Sequence, residues 1–199
     1  MPTTFVFDGE EHMFEDDVMS FRCDAGECRE SVTIGLPFCT AHTEKYLNLK
    51  IKPSGIPGAG LGVFAHCEAM PEGYPVFRRG YYIHPYYGEN VGDDELYHRY
   101  GEHTAPYALG GEMRWGYPTN VDAALVRGIM AMVNHRPQGK DQNIQYVCGR
   151  RKDGGINCQA IKNIYHGQEL FSSYGAQYFR NIGISSHRTI TINDLKHEK

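Results

Sequence analysis

Hydrophobic and polar residues alternate in short runs over most of this chain, and glycines and prolines separate the runs. Alternation with a period of two is typical of strands that bury one face. Helical spacing is confined to short stretches. The pattern predicts strands over 49–52, 61–66, 75–83, 105–109, 143–148 and 156–161, and short helices over 93–100, 123–132 and from Gly175 through Phe179. A mainly β fold of several small sheets with few short helices is therefore expected.

The composition fits one domain with a small appendage. The chain has 199 residues, of which 41% are hydrophobic and 22% are charged, so a core of ordinary size is expected. Its net charge of −4 argues against direct sequence-specific binding of nucleic acid and suits a basic partner. We divide the chain into an acidic N-terminus expected to be flexible (1–20), a Cys/His segment (21–48), a main domain (49–182) and a C-terminal tail (183–199).

The surroundings of the protein can also be predicted from the sequence. No apolar stretch approaches the ~20 residues that span a bilayer, so no membrane association is expected. The N-terminal residues lack the basic start and the apolar run of a secretory signal. The six cysteines are then better explained as thiols or metal ligands than as disulfides. We expect an intracellular protein.

Four side chains that can bind a metal lie close together in the Cys/His segment. Cys23 and Cys28 form one pair, and Cys39 and His42 form a tighter one. Structural zinc takes thiolate and imidazole ligands of this kind from short loops. A segment this short buries little apolar surface, so the metal would supply much of its folding free energy. The spacing favours structural Zn²⁺ on these four residues; the alternative is a group of buried thiols beside a surface histidine.

Two other segments are weak signals when each is taken alone. Gly58, Gly60 and Gly62 alternate, which lets a backbone approach a ligand closely, but a glycine-rich hairpin turn has the same pattern. They lead into a strand-like run and no Lys-Ser/Thr pair follows, which argues against a dinucleotide fingerprint and a phosphate loop. Asn134 and His135 can bind an amino-acid-like ligand, or they can form a satisfied structural pair.

In their order along the chain, the segments of residues 49–179 resemble a SET-domain protein-lysine methyltransferase. Ser54 to Ala65 is similar to the opening motif of that family, and Val121-Asp122-Ala123 is similar to its Ile-Asp-Ala strand. Val133-Asn134-His135, with Asn143 later, resembles the Asn-His segment that threads into a pseudoknot. Ala160 to Gly175 resembles the closing motif. The resemblance implies a SET fold with a C-terminal pseudoknot, preceded by a small zinc segment.

The resemblance also implies a cofactor, S-adenosylmethionine, and roles for particular residues. Tyr174 would be the catalytic tyrosine that aligns the lysine amine, and Tyr107 would place a second hydroxyl on the lysine channel. Phe179 would stack against the adenine. For Tyr107 and Phe179 the alternative is aromatic packing in the core. The implied cofactor-binding residues are Gly60, Leu61, Gly62, Asn134, His135, Tyr174 and Phe179.

Several positions depart from the pattern of the family. Ala131-Met132 replaces Arg-Phe before the Asn-His pair, and Ser173 replaces an acidic residue before the tyrosine. No cysteine follows Cys158, so the cysteine-rich C-terminal tail of many histone-directed members is absent. Ser172 is small where relatives often carry an aromatic residue that limits the number of methyls added. We therefore hypothesise that more than one methyl can be added to a lysine.

The resemblance implies a lysine-bearing basic protein segment as the partner, with a histone tail favoured. The nucleus is the favoured compartment, and the cytoplasm is the other one considered. Two alternatives stay open: a methyltransferase for a non-histone protein, and a catalytically degenerate SET-like module that binds protein. The sequence leaves the target lysine and the oligomeric state open.

Overall fold

The computed structural model describes residues 3–7, 10–14, 21–101, 105–110, 120–136, 141–148, 156–175 and 178. Within these ranges the strands are short: β1 (Thr3–Phe7), β2 (Glu10–Phe14), β3 (Phe21–Arg22), β4 (Ser31–Val32), β5 (Leu49–Pro53), β6 (Leu61–Ala65), β7 (Tyr82–Tyr86), β8 (Glu89–Val91), β9 (Ala108–Gly110), β10 (Asn120–Asp122), β11 (Asn134–His135), β12 (Ile144–Cys148), β13 (Ile156–Ala160) and β14 (Phe171–Ser172). The helices are α1 (Thr40–His42), which continues as a π-helical turn (Thr43–Leu47), α2 (Asp93–Tyr100) and a 3₁₀ turn (Ile129–Met132).

The strands of the described ranges form six small sheets, which confirms the predicted mainly β fold. Three are antiparallel pairs, β1–β2, β3–β4 and β5–β6. Two have three strands, in the orders β8-β10-β9 and β12-β13-β7. The last is the parallel pair of β11 and β14. The sequence pattern did not predict the N-terminal hairpin of β1 and β2.

Most of the predicted elements are present. The strands predicted over 49–52, 61–66, 143–148 and 156–161 correspond to β5, β6, β12 and β13. The helix predicted over 93–100 is α2, whose first turn carries Asp93, Asp94 and Glu95. Acidic side chains there interact favourably with the unpaired N–H groups of the helix start. Gly101, at positive φ, follows the helix.

Three predicted elements differ from the structure. The helix predicted over 123–132 is wrong except for the 3₁₀ turn, because Asp122 Oδ1 accepts the Ala124 N–H and Gly128 is extended. The strand predicted over 75–83 begins only at Tyr82, since a turn containing Gly80 at positive φ precedes it. The strand predicted over 105–109 is shifted to β9. The helix predicted from Gly175 through Phe179 falls mostly outside the described residues.

One continuous core joins the small sheets. Along β13 the buried side chains alternate, so that Ile156, Cys158 and Ala160 all face inward. They pack in one cluster with residues of other elements, including Leu49, Val63, Phe77, Val121, Ile129, Met130, Val133, Ile144, Ile164 and Leu170. The core therefore fixes strands that are too short to be stable as isolated pairs.

The segment from Gly167 to Ser172 runs between two other parts of the chain. On one side, Leu170 N–H donates to the Val63 carbonyl (2.7 Å) and Ala65 N–H donates to the Gln168 carbonyl (2.9 Å). On the other side, β14 pairs with β11. The Asn143 side chain closes this crossing, because it donates to the Glu169 carbonyl (2.8 Å) and accepts the Phe171 N–H (2.8 Å).

Candidate functional site

The four predicted metal ligands converge in the structure. The sulfur atoms of Cys23, Cys28 and Cys39 and a ring nitrogen of His42 all lie within 4.8 Å of one another. His42 Nδ1 is 3.3 Å from the sulfur of Cys23 and 3.3 Å from that of Cys39. Three thiols and one imidazole at this spacing fit the donor set of a closed tetrahedral zinc site. Among the described residues, no other cluster of this kind is present.

Local interactions prepare one of these thiols for a metal. Burial opposes ionisation of Cys23, but N–H groups of Cys39 and Ala25 and the side chains of Cys39 and His42 stabilise the thiolate. Together they lower the pKa of Cys23 to about 7. Since the thiolate is the form that binds a metal, the cluster suits a cation.

Glu169 joins three of the motif segments. Its carboxylate accepts hydrogen bonds from Ser54 Oγ (2.7 Å), from the Gly55 N–H (2.8 Å) and from Asn134 Nδ2 (3.1 Å). The glutamate is only 8% exposed, so these bonds replace the water that it loses on folding. The sequence motif contained Glu169 but gave it no role. The sequence did contain an indication: Glu169 is a charged residue next to Leu170, which is buried, and a carboxylate beside a buried residue needs hydrogen-bond partners.

The segment that contains Gly58, Gly60 and Gly62, which we call the glycine loop, packs against the Glu169 carboxylate. Gly60 has positive φ and its carbonyl accepts the Ser54 N–H (2.8 Å). At Gly62, a Cβ would meet the Glu169 carboxylate, with its Cδ 2.9 Å away. Any larger residue at position 62 would have to displace this carboxylate, so a protein contact favours glycine there independently of any ligand. Between the two glycines, the side chain of Leu61 is 54% exposed.

Asn134 and His135 lie beside this loop on β11. Asn134 Nδ2 donates to the Leu61 carbonyl (3.0 Å) as well as to Glu169. His135 is buried, and its Nδ1 accepts the backbone N–H of Tyr174 (3.2 Å). The pair thus connects the glycine loop to the predicted catalytic tyrosine.

Tyr174 follows β14 and is half-buried. Its hydroxyl donates to the Val133 carbonyl (2.9 Å), and its ring lies 5.4 Å from the His135 ring. Burial raises the pKa of this hydroxyl well above its ordinary value, and the hydroxyls of Tyr178, Tyr86 and Tyr107 raise it further. The hydroxyl is therefore protonated throughout the physiological pH range.

Tyr174 belongs to a group of aromatic residues that we call the tyrosine cluster, defined as Tyr86, Tyr107, Tyr146, Tyr174 and Tyr178. The rings of Tyr86 and Tyr146 meet edge to face at 5.5 Å, and those of Tyr174 and Tyr178 at 5.1 Å. Tyr146 donates to the Met130 carbonyl (2.8 Å). These contacts place aromatic rings, each with a phenol group, beside one another in two pairs, one of which includes Tyr174.

Tyr107 is held from several directions. Its carbonyl accepts the Tyr86 hydroxyl (2.6 Å) and the Ala123 N–H (3.0 Å). The guanidinium of Arg127 lies 3.8 Å from the centre of its ring. Tyr107 is partly buried against the core, which is the aromatic packing that was its alternative, and its place on a lysine channel stays a prediction. Phe179, the predicted adenine contact, lies outside the described residues.

An ion-pair network around the buried Asp122, beside Tyr107, was not predicted. Asp122 is fully buried and accepts from Arg99 Nη1 (3.1 Å) and from the Tyr100 hydroxyl (2.9 Å). Arg99 also binds Glu89 (3.0 Å) and Glu95 (2.8 Å). The network fixes α2 against the β8-β10-β9 sheet. The sequence motif Val121-Asp122-Ala123 contains Asp122, but nothing in the sequence indicated that Asp122 pairs with Arg99.

No protein-family model and no curated protein matches the chain. Among solved structures, the methyltransferase domain of human PR domain-containing protein 2 is 18% identical, with a TM-score of 0.47 over 66% of this chain and 80% of that one. The Chaetomium thermophilum polycomb repressive complex 2 is 26% identical, with a TM-score of 0.49 over 64% of this chain and 15% of that one.

A third similar structure is Arabidopsis thaliana SUVH6 in complex with SAM, which is 20% identical, with a TM-score of 0.46 over 64% of this chain and 27% of that one. At TM-scores below 0.5, these similarities do not assign an activity. Within the described residues, six small sheets with few helices carry the motif segments, and hydrogen bonds of Asn134 and His135 link the glycine loop to the backbone of Tyr174. The small sheets carry the segments that resemble SET-domain motifs, and the Cys/His segment precedes them in the chain.

Among the described residues, no helix is long and apolar enough to cross a bilayer.

Proposed function

We propose that this protein is an S-adenosylmethionine-dependent protein-lysine N-methyltransferase. The observation that carries the proposal is the junction at Tyr174. The phenol of Tyr174 is protonated and half-buried, and its ring contacts that of Tyr178. The backbone N–H of Tyr174 is linked through His135 and its neighbour Asn134 to the glycine loop. A methyl-transfer site needs a donor pocket and an apolar channel for the amine that meet at one point, and this junction supports both.

The residues beside the glycine loop suit the methyl donor. Asn134 uses its amide nitrogen within the protein, and its amide oxygen has no hydrogen-bond partner among the described residues, so it can accept from an amino group. Leu61 offers an exposed apolar surface next to it. S-adenosylmethionine supplies a methyl group on a positively charged sulfur when it is bound. Gly60, Leu61, Gly62, Asn134, His135 and Tyr174 are the residues that we propose hold it, with Phe179 as the expected adenine contact.

In this proposal the tyrosine cluster lowers the pKa of the substrate lysine, which must lose its proton before it can accept a methyl group. A free lysine amine has a pKa near 10.4, so making it neutral at pH 7 costs about 4–5 kcal/mol. Desolvation disfavours an ammonium, so a channel lined by tyrosine rings lowers the pKa of a lysine that enters it. In this proposal Tyr107 forms part of that channel.

Tyr174 orients the amine and does not remove its proton. Because the pKa of its hydroxyl is raised, it stays neutral and is a poor general base. Its proton is donated to the Val133 carbonyl, which leaves the lone pairs of the phenol oxygen free to accept an N–H from the amine. Fixing the direction of the nitrogen lone pair in this way contributes through positioning.

The proposed substrate is a histone tail or another basic protein segment, and we propose a nuclear location with it. The charge of the protein supports a basic partner. The net charge is −4, and Asp93, Asp94 and Glu95 are exposed at the start of α2. We propose further that the Cys/His segment binds one structural Zn²⁺ through Cys23, Cys28, Cys39 and His42.

A methyl-transfer assay tests the proposal. The purified protein is incubated with S-adenosylmethionine labelled in its methyl group, with core histones, and with histones whose tail lysines are replaced by arginine. Label is expected in the intact histones and absent from the replaced ones. Label in other basic proteins alone would move the substrate to a non-histone protein. Calorimetry that detects no binding of S-adenosylmethionine would contradict the enzyme and favour a degenerate protein-binding module.

A further inference from the structure

Among the contacts between the Cys/His segment and the main domain, one brings two backbones very close together. Gly35 lies between the ligands Cys28 and Cys39 and has φ +92°. A Cβ at this position would lie 2.6–2.8 Å from the backbone N, C and O atoms of Arg127. Only glycine fits there without a shift of one backbone against the other. The next residue, Leu36, packs against the core of the main domain.

Arg127 continues this contact towards the tyrosine cluster. Its guanidinium donates to the carbonyls of Ala123 and Ala124, both at 3.3 Å, and these two bonds fix the plane of the group. The guanidinium carbon lies over the ring of Tyr107, 3.8 Å from its centre. A guanidinium at this distance makes a cation–π contact, and arginine is better suited to an aromatic face than lysine is.

Tyr107 is the last member of the chain of contacts. Its main chain is fixed by Tyr86 and Ala123, but its ring is covered on one face by Arg127. Tyr107 is joined to the rest of the tyrosine cluster through Tyr86, whose hydroxyl donates to the Tyr107 carbonyl (2.6 Å) and whose ring meets that of Tyr146. A displacement of Arg127 would therefore release one face of a ring that stands beside the proposed channel.

We propose that Arg127 is a positioning residue that couples the docking of the Cys/His segment to Tyr107. The path runs from Gly35 through the backbone of Arg127 to its guanidinium and then to the Tyr107 ring. The role in the lysine channel rests on the proposed function; the mechanical coupling does not. Its predicted consequence is that the Cys/His segment supports lysine binding from outside the cofactor pocket.

Four variants test the coupling from both ends. Gly35→Ala drives a methyl group into the Arg127 backbone. Gly26→Ala is its matched control, because Gly26 also has positive φ (+57°) in the Cys/His segment but a Cβ there meets nothing within 4 Å. Arg127→Met keeps a long apolar side chain and removes the guanidinium. Arg127→Lys keeps the positive charge and removes the planar stacking surface.

The main measurement is hydrogen–deuterium exchange of residues 105–110, which reports on Tyr107 without any need for activity. In Gly35→Ala and Arg127→Met we expect exchange there to accelerate about tenfold, with a smaller effect in Arg127→Lys and none in Gly26→Ala. Metal analysis should give the same zinc content in all four. With a lysine peptide as substrate, KM of Gly35→Ala and Arg127→Met should rise about five- to tenfold, while that of Gly26→Ala stays at the wild-type value. In all of them kcat should stay within about twofold and the affinity for S-adenosylmethionine should be unchanged.

The results that would overturn the coupling are equally direct. Equal exchange in Gly35→Ala and Gly26→Ala would show that backbone strain, and not the Arg127 contact, causes any effect. Wild-type exchange over 105–110 in Arg127→Met would remove the link to Tyr107. If Gly35→Ala does not fold, the comparison of Arg127→Met with Arg127→Lys decides. Absence of methyl transfer by the wild type would contradict the proposed function alone, since the exchange experiment does not depend on it.

Discussion

The Cys/His segment and the junction around Tyr174 are both built from short pieces of chain, but different forces hold them. In the Cys/His segment, Cys23 is a buried residue and the remaining ligands are only half-buried. Its strands, β3 and β4, have two residues each. At the junction, Leu170 and Val133 are almost fully buried; hydrogen bonds join the segment before β14 to β6, and β14 pairs with β11. One region is suited to being held by a metal, and the other is held by the core.

This difference explains why the two regions respond to different changes. A small segment with little apolar surface cannot offset the loss of conformational entropy on folding unless ligand binding contributes. At the junction, buried side chains and hydrogen bonds between distant segments offset this loss of conformational entropy. Removal of the metal should therefore affect the first region, and single substitutions of buried polar groups should affect the second.

The largest expected effect is at the junction. In Tyr174→Phe we expect methyl transfer to fall by about 10²- to 10³-fold, because the hydroxyl that orients the amine is lost. Tyr165→Phe is the matched control, since Tyr165 is exposed and its hydroxyl has no hydrogen bond with the described residues. Transfer rates are compared at saturating substrate, with thermal unfolding to verify that both variants fold. Full activity of Tyr174→Phe would end the assignment of this tyrosine.

Removal of zinc should destabilise the Cys/His segment and leave the junction folded. On chelation we expect the amides of residues 21–48 to lose protection from hydrogen exchange, while the buried strands β5, β6, β12 and β13 keep theirs. Metal analysis of the purified protein should give one zinc per chain. Less than about half an equivalent, together with no loss of structure on chelation, would contradict a structural zinc site.

Glu169 tests whether the junction depends on its buried carboxylate. Glu169→Gln keeps the size of the side chain but gives up one of the oxygens that accept from Ser54, Gly55 and Asn134. We expect the free energy of unfolding to fall by about 1–3 kcal/mol, and the affinity for S-adenosylmethionine to fall about five- to tenfold as the glycine loop shifts. Denaturant unfolding and calorimetry measure the two effects.

The control for this variant is Glu68→Gln, because the Glu68 side chain is 84% exposed and its one recorded ion pair is long (3.9 Å). It should leave both quantities unchanged within about 0.5 kcal/mol. A similar response of the two variants would show that Glu169 has no special role in holding the loop.

The smallest effect concerns the number of methyls added. Ser172 is fully buried in β14, two residues before Tyr174. If its small size leaves room beside the amine, mass spectrometry after exhaustive reaction should find di- or trimethylated lysine, and Ser172→Ala should behave in the same way. Ser172→Phe should restrict the product to fewer methyls and lower stability by about 1–3 kcal/mol through overpacking. A single added methyl in the wild type would contradict the hypothesis.

The sequence predicted best those features that depend on neighbouring residues. Alternation located β5, β6, β12 and β13, and the acidic first turn located α2. The helix predicted over 123–132 was wrong, because Leu125, Ile129 and Met132 have helical spacing while the Asp122 side chain and the extended Gly128 impose a turn instead. Periodicity does not reveal a local hydrogen bond that competes with a helix.

The sequence by itself determined which chemical groups this protein has and their order: the cysteine and histidine pairs, the glycine loop, the Asn-His pair and the tyrosine after Ser172-Ser173. Only the tertiary structure decided which of them act on one another. Ser54 and Glu169 are 115 residues apart along the chain, yet they share a hydrogen bond, and Gly35 meets Arg127 across a similar gap. Such contacts arise from burial of a common core, which satisfies polar groups with whatever partners folding brings near, and no local pattern records that choice.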